Sequence, residues 1–243
     1  MAIITITAMM NHDQCRLAPR ALLRMQSWLS PAFPAGFYSY SHGLEWAVET
    51  RDVFNRQSLV DWLESDLRHG SGRNEAIFFT EAWRSATDRE KLGGISELAA
   101  VFRGTSEFAL ESSQPAAACL AIFKKVWPDG RLDMLAEILG ERQIPPALAV
   151  VLGVRLAGEG APVSLALPAF LQGYVTNLVS AAVRLVPLGQ TDGQLAIAEL
   201  EGVVETASAH AVAATIDDLG SAAFMVDLAS MAHETQYTRL FRS

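Results

Sequence analysis

The residues of this 243-residue chain whose types suit metal, nucleophilic or acid-base chemistry are few and scattered. Histidines stand at 12, 42, 69, 210 and 233, and the nearest approach to a metal-binding pair is His42 with Glu45, at i, i+3. No second pair of that kind supports it, so a structural role fits His42 and His233 better than ligation, and both are only weak metal candidates. His12, Asp13 and Cys15 could chelate a soft metal, but they fall in an N-terminal arm where three donors also cluster by chance. Asp217 and Asp218 resemble half of a diphosphate-magnesium site. Gly220 and Ser221 follow where further carboxylates would be needed, and a helix N-terminus explains the pair more simply. Gly70-Ser71-Gly72 lacks the flanking strand and the Lys-Ser/Thr of a phosphate loop and reads as a turn between helices. The search for a catalytic constellation ends without one.

The elements that would position these residues are helices. Leu59, Trp62, Leu63 and Leu67 follow the spacing of one buried helical face, with Ser58 and Asp61 placed like a capping box. Ala76, Phe79 and Trp83 form a second apolar stripe, and Leu120, Phe123 and Trp127 a third, which ends at the Pro128-Asp129-Gly130 turn. Two long Ala- and Leu-rich segments, Ser164 to Val186 and Asp192 to Ala214, are expected to meet at Pro187-Leu188-Gly189, with Thr191 and Gln194 capping the second. A last helix is expected from about Ile216 to about His233. Only Ile3 to Thr7 alternates like a short strand.

Half of the residues are hydrophobic and 19% are charged, enough apolar surface for a sizeable core. No 20- to 50-residue repeat or Pro/Ser-rich linker divides the chain. The expectation is an all-α, single-domain helical bundle of roughly eight to ten helices over residues 21–233, preceded by an arm (1–20) and followed by a tail (234–243). A formal charge of -8 without a basic cluster disfavours a nucleic-acid partner. Cys15 and Cys119, the only cysteines, read as free thiols of a reducing compartment. The N-terminus lacks the basic residues of a secretion signal, and the apolar stretches Ile144 to Val154 and Leu178 to Val183 stop at Arg155 and Arg184, short of a membrane span. A cytoplasmic location is expected.

Ser30-Pro31-Ala32-Phe33-Pro34-Ala35-Gly36-Phe37-Tyr38-Ser39-Tyr40-Ser41-His42-Gly43-Leu44-Glu45 is too rich in Pro, Gly and aromatics for a helix interior. Pro31 and Pro34 restrict the backbone, Gly36 and Gly43 permit positive φ, and Ser39 or Ser41 could cap a helix starting near Leu44. It reads either as a rigid connector or as an interface loop anchored by Phe37, Tyr38 and Tyr40. The tail, with Tyr237, Arg239, Phe241 and Arg242, has the aromatic and Arg content of an interface hot spot, or else folds back on its own domain.

The loop resembles the most characteristic motif of the UreF urease accessory family. Two further segments agree in order and position: Arg184-Leu185-Val186-Pro187-Leu188-Gly189-Gln190-Thr191-Asp192-Gly193-Gln194 and His233-Glu234-Thr235-Gln236-Tyr237-Thr238-Arg239-Leu240-Phe241-Arg242-Ser243. Phe33, Ala35 and Phe37 depart from the residues commoner in the family. The resemblance implies an all-helical, non-catalytic homodimer that binds the accessory protein UreD, also called UreH. The pair then recruits the nickel-carrying GTPase UreG and through it activates apo-urease. No cofactor is bound directly, nickel and GTP being handled by the partner complex. It further implies partner-binding roles for Tyr38, Tyr40, Ser41, His42 and Glu45 in the loop and for Tyr237, Arg239, Leu240, Phe241 and Arg242 in the tail. Gln190, Asp192 and Gln194, in the turn between the long helices, belong near the dimer and the GTPase docking surface. A metallochaperone holding nickel through His42 or His233 is the nearest alternative, and a helical enzyme using Asp217 and Asp218 a more distant one.

Overall fold

The computed structural model describes residues 17–242, so Ile3 to Thr7 and the His12, Asp13, Cys15 group lie outside the described residues. Among those described there are eleven α-helices and no strand. In chain order they are α1 (Pro19–Trp28), α2 (Leu44–Glu49), α3 (Arg56–His69), α4 (Ser71–Arg84), α5 (Arg89–Val101), α6 (Ser106–Val126), α7 (Gly130–Arg142), α8 (Leu148–Gly158), α9 (Val163–Leu185), α10 (Gln190–Ala213) and α11 (Phe224–His233).

The all-α expectation stands, with one helix more than its upper bound. Part of the excess was hidden at the C-terminal end, where the segment expected to run unbroken from Ile216 divides. A short 3-10 turn, Ile216–Asp218, is capped by Thr215, and α11 begins only at Phe224. The Asp218 carboxylate accepts the Thr215 N–H at 2.9 Å, so this acidic residue of the pair is a local cap. At α3 the cap lies one turn earlier than expected. Asn55 Oδ1 accepts the Ser58 N–H at 2.9 Å while Ser58 Oγ accepts the Asn55 N–H at 3.1 Å, which makes Ser58 the third residue of the helix. At α10 the capping carboxylate is Asp192, which accepts the Gly189 N–H at 3.3 Å.

The core assembles around α4 and α8, whose backbones nearly touch. A Cβ built on Gly153 would lie 2.5 Å from the Phe79 carbonyl oxygen, so no larger residue fits that crossing. Phe79 stacks on Phe170 of α9, with ring centroids 4.9 Å apart. Antiparallel α9 and α10 pack along their lengths and α10 also covers α3. α9 is long and apolar enough to cross a membrane by length and composition, and half of its most apolar stretch is buried within the fold.

At the far end of α6, Trp28, Phe123 and Trp127 meet edge to face at 5.2 and 5.4 Å. Arg155, read from the sequence only as the end of an apolar run, lies beneath them. Its guanidinium sits 4.5 Å from the Trp28 ring, pairs with Glu159 and donates to the Trp127 carbonyl at 3.2 Å. Burial holds its pKa down at about 10.

Candidate functional site

The Pro/Gly-rich loop folds because its special residues supply the angles it needs. Gly36 (φ 80°) turns the chain into a 3-10 turn, Phe37–Ser39, and His42 (φ 58°) and Gly43 (φ 75°) then form two successive left-handed residues before α2. Neither Ser39 nor Ser41 caps α2, because Gly43 holds that position without a side chain. At Gly43 a Cβ would also lie 2.8 Å from the Ser230 backbone nitrogen, so loop and α11 meet backbone to backbone. Of the three aromatics expected at the surface, only Tyr38 is fully exposed. Phe37 is half-buried and Tyr40 is buried, its hydroxyl 3.0 Å from Gln114 Oε1.

Two buried histidines organise the loop, each between two carboxylates. His42 Nδ1 lies 2.9 Å from Glu111 of α6, and its Nε2 lies 2.5 Å from Ser71 Oγ and 3.7 Å from Asp66 of α3. Its ring stacks on Phe108 at 4.1 Å. Ser71 Oγ and the Tyr174 hydroxyl donate to Asp66 at 2.9 and 2.7 Å, and the Gly72 N–H adds a third bond at 3.3 Å. Burial alone would depress the His42 pKa, but the two carboxylates outweigh it and push the value up to about 10. Burial would raise the Asp66 pKa, and the hydrogen bonds from His42, Tyr174 and Ser71 bring it below the ordinary value. The order Ser71, His42, Glu111 mimics a hydrolytic triad, yet an imidazolium at neutral pH has no lone pair with which to take the serine proton. The charge organises structure instead.

The second node is His233, at the end of α11. Its Nδ1 lies 2.8 Å from Glu107 and its Nε2 3.2 Å from Glu45. Glu45 also accepts the N–H groups of Leu240 and Phe241 at 2.6 and 2.9 Å, and Arg239 reaches Glu107 at 3.2 Å. Burial raises the Glu107 pKa, against the pull of His233 and Arg239. Gln236 donates to Glu49 at 2.6 Å, and Glu234 accepts the N–H and Oγ–H of Ser106 at the start of α6. The described part of the tail therefore folds back on its own domain, with Phe241 buried and Tyr237 and Leu240 exposed.

Arg184, at the end of α9, joins the three quoted segments. Its Nη2 donates to the Tyr38 carbonyl at 3.0 Å and its guanidinium lies 4.4 Å from the Phe241 ring. The Arg242 N–H closes the contact by donating to the Ser39 carbonyl at 2.8 Å. Gln190 and Gln194 follow Arg184 at the exposed start of α10, where the half-buried Asp192 and Glu199 both face Arg56.

The UreF family model matches residues 53–201. The chain belongs to the UreF urease accessory family. Similar relatives include the urease accessory proteins UreF of Bradyrhizobium diazoefficiens, 45% identical over 92% of each chain, and of Rhodopseudomonas palustris strain BisB5, 46% identical over 92% of this chain and 91% of the relative. That of Granulibacter bethesdensis is 43% identical over 92% of this chain and 94% of its own. As a member of this family the chain is an accessory protein and not an enzyme.

The structure thus brings Tyr38, Tyr40, His42, Glu45, Arg239, Leu240, Phe241 and Arg242 together, with the Gln190, Asp192 and Gln194 turn beyond Arg184. Both ring nitrogens of His42 and of His233 are engaged by carboxylate or hydroxyl oxygens. Sequence reasoning missed Asp66, Ser71, Glu107, Glu111 and Gln114. One signal was present: Glu107, Glu111 and Gln114 fall at i, i+4, i+7, one polar stripe on α6. Asp66, between Leu63 and Leu67, was a carboxylate in a core register.

Proposed function

We propose that this protein is a non-catalytic adaptor in maturation of the urease metallocentre. It bridges UreD (UreH) and the GTPase UreG and, through them, apo-urease, acting as a homodimer in the cytoplasm and leaving nickel and GTP to its partners. The observation that supports this most strongly is the junction at Arg184. Loop, inter-helix turn and tail, the segments that resemble the family's motifs, are more than 140 residues apart at their extremes and meet at one guanidinium. A surface built from three distant segments, with exposed Tyr38, Tyr237 and Leu240 beside Arg239 and Arg242, has the aromatic and Arg content of an interface and holds no reacting group.

Light scattering during size-exclusion chromatography of the chain mixed with UreD, then with UreG, tests the reading. The full-length chain is expected to give a complex with UreD that takes up UreG, and a chain ending at Ala232 is expected to fail while remaining a folded dimer. Equal complexes from both chains would remove the tail from the account, and no complex from either would remove the adaptor role.

A further inference from the structure

α11 is inside out. It turns Val226, Ala229, Ser230 and His233 inward, two of them polar, with Ser230 Oγ 2.7 Å from Thr105 Oγ and His233 between its carboxylates. Its larger apolar residues point the other way: Phe224, Met225, Leu228 and Met231 are 68%, 54%, 55% and 47% exposed. Phe224, Leu228 and Met231 at i, i+4, i+7 form one stripe opposite the buried face. Such a helix gains little from burying its own apolar side chains and has a face ready for another molecule.

We infer that this face is a docking surface for the same protein that takes the tail, so that α11 and the tail form one continuous footprint. The inference rests on the proposed UreD-binding reading and extends it to residues that none of the three quoted segments contains.

Three observations select this occupant. The stripe leads along the chain into Tyr237, which is fully exposed, and Leu240, 64% exposed. Glu107 ties the two parts together by holding both His233 of α11 and Arg239 of the tail. Size argues against a second copy bound through α11 alone. A ten-residue helix is about 15 Å long and about 10 Å across, far too small a face for the roughly 800 Å² per partner of a standard interface. With the tail added, the footprint becomes adequate for a partner that recognises both. Charge argues against a lipid surface, because Asp227 and Glu234 are the ionisable groups nearest the stripe on α11 and the chain carries -8 overall. The matching surface is therefore an apolar groove with acidic groups at the end that receives Arg239 and Arg242.

The test uses the full chain, purified UreD, a Leu228→Ser/Met231→Ser variant and, as a separate probe of the tail, Arg239→Ala. Because the α11 side chains are exposed, the double variant is expected to keep its circular dichroism, its melting temperature and its own oligomeric mass. Its affinity for UreD is expected to fall at least 10-fold, as that of Arg239→Ala does. Wild-type affinity in the double variant with loss in Arg239→Ala overturns the α11 inference and leaves the tail reading standing. A fall in the chain's own oligomeric mass assigns the face to a second copy and also overturns it. Absence of UreD binding by the wild type overturns the adaptor reading and this inference with it.

Discussion

The two buried histidines look alike and do different work. His42 is enclosed by groups on long helices that belong to the scaffold, Asp66 of α3, Ser71 of α4, Glu111 of α6 and Tyr174 of α9. His233 is held by Glu45 and Glu107, and the other groups that share these carboxylates come from the tail, Arg239 and the N–H groups of Leu240 and Phe241. The first node fixes the loop to the core; the second fastens the end of the chain to that loop. Damage at the first should cost stability, and damage at the second should cost binding while the scaffold survives.

The largest effect is expected at Asp66. Asp66→Ala leaves a buried imidazolium, two hydroxyls and an N–H with a lost acceptor, and should destabilise the fold by about 3 to 5 kcal/mol. Urea unfolding at pH 7 checks this, and a loss below about 1 kcal/mol would break the contrast between the nodes. Next is Gly43→Ala, which combines positive φ with a Cβ 2.8 Å from the Ser230 nitrogen. A loss of about 2 kcal/mol is expected, together with weaker amide protection in α11, because the strain falls on the seam between loop and helix.

Glu45→Gln should cost less, about 1 kcal/mol in global stability, since the amide oxygen can still accept one tail N–H. Hydrogen exchange at Leu240 and Phe241 should nonetheless accelerate while α3 and α6 stay protected. Equal acceleration throughout would mean that the tail is part of the core.

The pH dependence sharpens the same comparison. The folded-state pKa of His42, about 10, lies above the unfolded value near 6.5. Its stabilising contribution is thus complete below about 6.5, declines as pH rises and is gone above about 10. Asp66, depressed in the fold, contributes above its unfolded value and loses that contribution in acid. The stability difference between wild type and His42→Gln should therefore shrink between pH 7 and 9.5, with Asp66 and Glu111 as the charges facing the ring.

Much of the fold could be read locally. The periodicity at Leu59 to Leu67 and the Pro187 to Gly189 turn reported the helices because each helix writes its buried face into adjacent residues. The fate of single side chains could not be read that way. Tyr40 was expected outside and lies inside because Gln114, 74 residues away, accepts its hydroxyl. Ser71 looked like part of a turn because its partner His42 is supplied by another element. Glu45 seemed only one residue of a loop motif, yet it receives a tail nearly 200 residues downstream. A carboxylate in an apolar register, as at Asp66, was the one local sign that such partners existed.

The most direct test of the account is the binding of UreD, and then of UreG, by an Arg184→Ala variant of the full chain, followed by light scattering. Arg184 is the side chain through which turn, loop and tail meet, and it lies at the surface outside the core. The account predicts a folded dimer with wild-type thermal stability to within a few degrees that no longer completes the complex with both partners. A variant that assembles with UreD and UreG as the wild type does would contradict the claim that this junction is the functional site.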